Sequence, residues 1–150
     1  METNQLDLIG QADNQRYRHL FEHVPICIFV IDRTANPLAI LEANRRATLV
    51  YGYSADTLAG MPVSQLVPKE NGPAIQTIMR QVQLGRTVTA ELTIRHHDGT
   101  RFPVRVIAAP NPADDGHMII TVEDISALKQ RRNEAQAIEA ERRRIAHEIH

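Results

Sequence analysis

The chain has 150 residues, 43% of them hydrophobic, and a formal net charge of −1. That suits one domain and gives no electrostatic reason to expect nucleic acid or an anionic membrane as a direct partner. Cys27 is the single cysteine, so there is neither a disulfide framework nor zinc-ligand spacing. No apolar stretch is long enough to span a bilayer and no secretory leader opens the chain. The segment is therefore expected in the cytoplasm, with a membrane anchor elsewhere in a longer parent left open.

In chain order, Leu6, Ile9, Tyr17, Leu20 and Phe21 recur at helical spacing and predict an amphipathic helix over about Gln5 to Glu22. Val24-Pro25 ends it, because the residue before proline is pushed out of the helical region. The unbroken apolar run Ile26–Ile31 reads as a strand covered on both faces, with the N-terminal helix as the nearest cover for its second face. A second short strand is expected over Leu38–Leu41, followed by a helix over Glu42–Tyr51 closed by Gly52. Ser54 caps a further turn containing Leu58. Asn71-Gly72-Pro73 opens a clearer helix, since proline is tolerated at the first helical position. Ile75, Ile78, Met79 and Val82 give that helix a core-facing stripe, and Gly85 closes it.

From Thr87 the period changes to two. Val88, Ala90, Leu92 and Ile94 alternate with polar residues, and so do Phe102, Val104, Val106 and Ala108 on the return strand. A two-residue Asp98-Gly99 loop would mix the faces. A three-residue loop, His97-Asp98-Gly99, sets Ile94 opposite Phe102, Leu92 opposite Val104, and Glu91 beside Arg105 as an opposite-charge pair. The second register is the expected one, with Gly99 in the left-handed position of a bulged turn. A loop over Asn111–Gly116 and a last strand over His117–Glu123 complete about five strands. The fold class is α+β: an antiparallel sheet with short helices on one face.

From Ser126 to His150 there is no glycine or proline. Leu128, Arg131, Ala135, Ile138, Arg142, Ile145 and Ile149 recur in alternating steps of three and four, a heptad seam weakened by two arginines. The expected partner for that seam is a second copy of the chain, so a homodimer joined by a parallel coiled coil. Asp124 and Ser126 are good helix-starting residues. With Ile125 between them, they would tie the last strand to the exit helix and so carry a shift of the sheet into it.

Taken in order, these pieces resemble a PAS domain over roughly Arg16 to Ser126. The resemblance rests on Ile28–Asp32 with Leu38 and Asn44–Ala47, on Tyr51-Gly52-Tyr53-Ser54, and on Leu58-Ala59-Gly60-Met61-Pro62 with Leu66-Val67-Pro68. It rests further on Arg95-His96-His97-Asp98-Gly99-Thr100 with Phe102, and on the exit motif Val122-Glu123-Asp124-Ile125-Ser126. The run Glu141–His150, ERRRIAHEIH, is similar to the phosphoacceptor box of histidine kinases. The division is then an N-terminal helix over residues 1–24, a sensor domain over 25–125, and a linker helix entering the kinase dimerisation region over 126–150.

The resemblance implies a ligand-sized cavity in the sheet domain and a signal passed through the exit helix to His150, the candidate phosphate acceptor. It also implies ATP as a substrate of the full-length parent only, and a response regulator as the parent's partner. The acidic residue that activates such a histidine would follow it and is not in this sequence. No glycine-rich phosphate loop is present either, so this segment alone is expected to lack kinase activity. Oxygen-sensing haem members carry an axial histidine on the long helix, where Asn71–Leu84 has none. Photoactive flavin members carry a reactive cysteine near the position of Met61-Pro62-Val63, and Cys27 lies in another element. Both are disfavoured, leaving non-covalent flavin, a small metabolite or an empty core. His96 and His97 read as exposed turn residues rather than metal ligands. A PAS module serving only dimerisation, or feeding a cyclase or a chemotaxis-type transducer, is the alternative.

Overall fold

The computed structural model describes residues 5–149, and side-chain surroundings from Asp13 onward except at Asp115. His150, the candidate acceptor, lies outside the described residues.

Five strands form one antiparallel sheet in the order β2-β1-β5-β4-β3. They are β1 (Cys27–Asp32), β2 (Ala39–Ala43), β3 (Val88–Arg95), β4 (Arg101–Asn111) and β5 (Asp114–Asp124). β5 is the central strand, and β1 and β4 on either side of it are also hydrogen-bonded on both edges. The inner face presents Phe29, Ile31, Leu92, Ile94, Val104, Val106, Met118 and Val122. Against it pack α2 (Arg45–Tyr51), α3 (Ala55–Leu58) and α4 (Gly72–Gln83), whose core contributions include Tyr51, Leu58, Ile78 and Val82. The flanking helices are α1 (Gln5–His23) and α5 (Ser126–Ile149).

The β3–β4 hairpin adopts the expected register, with Ile94 opposite Phe102, Leu92 opposite Val104 and Glu91 opposite Arg105. Gly99 has φ of +89°, the left-handed conformation that glycine adopts without a Cβ clash. Gly52, with φ of +83°, closes α2 as expected. It is also crowded: a Cβ there would lie 2.6 Å from Cδ2 of His97 and 2.7 Å from Cε1 of His96.

Three expectations are corrected. The helix after β2 does not begin at Glu42. Glu42 and Ala43 complete β2 by pairing with Val30 and Phe29, and Asn44 caps a helix that starts at Arg45. Sheet pairing outweighs the helical propensity of those residues. The loop over Asn111–Gly116 shrinks to a tight turn, because Asn111 already pairs with Asp114 and β5 starts there. Finally, α1 meets the domain chiefly through α2 rather than serving mainly as a cover for β1. Phe21 is buried, and Arg18 reaches Glu42 of β2 at 3.3 Å, while Tyr17 and Leu20 stay exposed.

Candidate functional site

The candidate site has three parts: a cavity in the core, a joint where the sheet becomes α5, and the exposed rod of α5.

The cavity, of about 60 Å³, lies between the inner face of the sheet and α4. Phe29, Ile31, Ile40, Leu92, Ile94 and Val106 supply its sheet wall, and Ile75, Ile78 and Met79 its helix wall. The i, i+3, i+4 spacing of Ile75, Ile78 and Met79 puts all three on one side of α4. Tyr51, at the end of α2, adds its ring, edge-on to Phe29 at 5.3 Å between centroids and tilted against Phe102 at 5.8 Å. Its hydroxyl is buried and has no hydrogen-bond partner among the described residues. Burial first, then the nearby Cys27 and Asp124, pushes the Tyr51 phenol well above its ordinary pKa, so it stays neutral.

Asn44 holds one side of this arrangement. It is fully buried, the one polar residue of the described chain so classed. Its Oδ1 accepts from the N–H of Ile28 at 3.0 Å and of Ala47 at 3.1 Å, and its Nδ2 donates to the carbonyl of Ile26 at 2.8 Å. One amide thus stitches the start of β1 to the start of α2 through three hydrogen bonds. The bond from Ala47 makes Asn44 the cap of α2, two residues later than the expected helix start at Glu42. Nothing in the sequence shows that the same side chain also serves β1.

The joint is formed by Asp124, Ile125 and Ser126. Oδ1 of Asp124 accepts from the backbone N–H of Ser126 at 2.8 Å and from its hydroxyl at 2.6 Å. Ile125, 1% exposed, donates its N–H to the carbonyl of Pro103 at 3.0 Å, and its own carbonyl accepts from Lys129 at 2.9 Å to begin α5. Strand and helix are therefore joined with no slack residue. A second pocket, of about 150 Å³ and half polar, opens beside this joint between Cys27, Arg46, Phe102, Glu123 and Asp124. Burial pushes the Cys27 thiol up to about 11, with Arg46 opposing and Asp124 reinforcing the shift. A thiol so protonated is inert packing rather than a nucleophile.

Sequence reasoning missed a second tie. Glu91 and Arg105 are opposite one another, but they are not each other's ion-pair partners: Arg105 pairs with Glu123 at 3.7 Å. Glu91 instead meets Arg132 of α5 at 3.0 Å and Lys129 at 4.0 Å. No sequence signal connects residues 41 apart. Beyond this root α5 is exposed, with Ile138 at 57%, Ile145 at 45% and Ile149 at 77%. Glu148 is taken up by Arg144 at 2.7 Å, which also holds Glu141.

His96 is half-buried over Gly52 and His97 is exposed. No metal-holding cluster occurs among the described residues. No described helix is long and apolar enough to cross a membrane.

Comparison with known proteins agrees with this geometry. The family model described as PAS domain matches residues 25–127. The chain is 29% identical over 140 residues to the sensory histidine kinase/phosphatase NtrB of Azospirillum brasilense, covering 84% of this chain and 32% of that protein. It therefore spans about a third of that curated relative. The PAS domain of an HTR-like protein from Haloarcula marismortui superposes with a TM-score of 0.69 at 20% identity, covering 81% of this chain and 98% of that one. A domain of a sensory box sensor histidine kinase/response regulator from Geobacter sulfurreducens gives 0.64 at 22%, covering 75% and 94%. At these identities the structural likeness establishes the fold.

Proposed function

The chain belongs to the PAS domain family, and from that premise we propose that it is the sensory segment of a two-component sensor histidine kinase. A change in the core would pass through Asp124, Ile125 and Ser126 into α5 and alter the access of ATP to His150. The observation that carries this reading is the joint: the strand next to β1 over the cavity ends at Asp124, and the helix starts two residues on, held by two hydrogen bonds and one buried side chain. Movement of β5 then has no flexible residue in which to dissipate. Similarity to a sensory histidine kinase over 84% of the chain supports the kinase output.

In this reading α5 pairs with α5 of a second copy along Leu128, Arg131, Ala135, Ile138, Arg142, Ile145 and Ile149. Polar seam positions weaken a coiled coil and permit more than one arrangement, which a signalling rod requires. His150 would use a neutral imidazole nitrogen to attack the γ-phosphoryl group, forming an N–P bond as the bond to ADP breaks. The phosphoryl group would then pass to an aspartate of a response regulator. ATP-binding machinery would come from outside this segment.

The test is autophosphorylation of a kinase carrying this segment, with γ-labelled ATP. His150→Gln should abolish labelling and leave the fold intact by circular dichroism. Label retained on the His150→Gln protein removes the acceptor assignment.

A further inference from the structure

We propose that the core cavity takes a small uncharged apolar molecule of a few heavy atoms, and that flavins, haem and carboxylates are not its ligands. This rests on the reading of the chain as a sensory module and names the chemistry its core can sense.

Three observations carry it. First, no polar atom of the wall faces the cavity; even Tyr51 shows it only its ring. A ligand amide or hydroxyl placed there would lose its bonds to water without replacement, at roughly 2–7 kcal/mol for water-to-apolar transfer, and a charge would lose far more. A flavin's pyrimidine edge and a haem propionate meet the same objection. Second, the size is restrictive. A single water needs about 10–15 Å³ and a dry cavity of about 150 Å³ admits benzene or xenon, so 60 Å³ suits a guest smaller than benzene. Cofactor pockets run to roughly 300–1,000 Å³. Third, the entry is apolar as well. A surface cleft of about 180 Å³ shares Leu38, Val63, Val67 and Ile75 with the cavity, so these four side chains separate core from solvent.

The occupant also has a route to the exit helix. Tyr51 is held by packing alone, since its hydroxyl has no partner among the described residues. Its ring can therefore yield to a guest and press on Phe102, which lines the pocket at the root of α5 beside Asp124. Met79 and Met118, flexible thioethers in the wall, can adjust to different guests of the same class.

The test is methyl NMR of the 150-residue protein under xenon pressure, with propane, acetate and flavin mononucleotide as further probes. Xenon should shift the methyl signals of Ile78, Met79 and Met118 saturably. Propane shifting the same signals assigns a hydrocarbon-sized guest, and xenon alone a gas-sized one. Acetate and flavin mononucleotide at millimolar concentration should leave them in place. Met79→Phe, at a half-buried position, should abolish the xenon shift at Met118. If that variant unfolds, the wild-type probes still decide. The proposal is overturned if neither xenon nor propane moves these methyls, or if acetate or flavin mononucleotide occupies the core more tightly than they do. A nitroxide at position 138 reads the exit helix separately. Xenon that binds without moving it upholds the ligand class and counts against transmission. A helix that responds to a probe leaving the core methyls unmoved removes the ligand class alone.

Discussion

Asn44 shows how one side chain can hold two elements at once. Its three hydrogen bonds satisfy the carbonyl of Ile26 and the N–H groups of Ile28 and Ala47, the first two bonds part-buried and the third buried. Asn44→Ala would leave those groups without their partner in a space too tight for free hydration. A lost cap together with buried unsatisfied groups should cost about 2–4 kcal/mol. Urea unfolding should show the midpoint falling with the slope unchanged; a loss under about 1 kcal/mol would mean that water replaces the amide. The cap was not legible, because the expected helix began at Glu42 and enclosed Asn44. Nor were the bonds to Ile26 and Ile28, because they depend on β1 running past the start of α2.

At the scale of elements, α5 is anchored at its root and bare beyond it. Glu91 binds Arg132 and Lys129 across the outer face of the sheet, adding an electrostatic tie to the covalent joint at Ile125. The hydrogen bond from Arg132 is the main reason the Glu91 carboxyl sits below its ordinary range. A depressed acid contributes above its unfolded pKa and loses that contribution as pH falls through the lowered value. The tie should therefore be complete at neutral pH and loosen only in acid below the ordinary glutamate range, about 4.3. Glu91→Gln should speed amide exchange in the first two turns of α5 by about two- to five-fold, with the gap closing in high salt, as for an exposed ion pair. Unchanged exchange would mean that Ile125 alone positions the helix. The strand register of β3 and β4 was legible because alternation permits only one face to be buried. The partner of Glu91 was not, because Arg132 arrives from another element and obeys no local period.

For the molecule as a whole, α5 carries an apolar stripe that its own chain leaves unburied. Ile138, Ile145 and Ile149 are all more than two-fifths exposed. Burying such side chains is worth about 1.5–3 kcal/mol each, enough for paired helices to associate if the seam is correct. Ile138→Asp with Ile145→Asp should turn a dimer into a monomer by sedimentation velocity and lower the helical signal of circular dichroism, leaving the sheet domain folded. A wild-type protein that sediments as a monomer would remove the paired-rod reading at once.

The amino-acid sequence by itself determined the α+β class, the β3–β4 register, the glycine-closed helices and the long exit helix. Each of these follows from a local period or from the backbone freedom of one residue. Tertiary structure alone decided where α2 begins, what Glu91 binds, how small and wholly apolar the cavity is, and that the Tyr51 hydroxyl goes without a partner. Those depend on which distant segments the sheet brings within a few ångströms of each other, and no spacing along the chain encodes that distance.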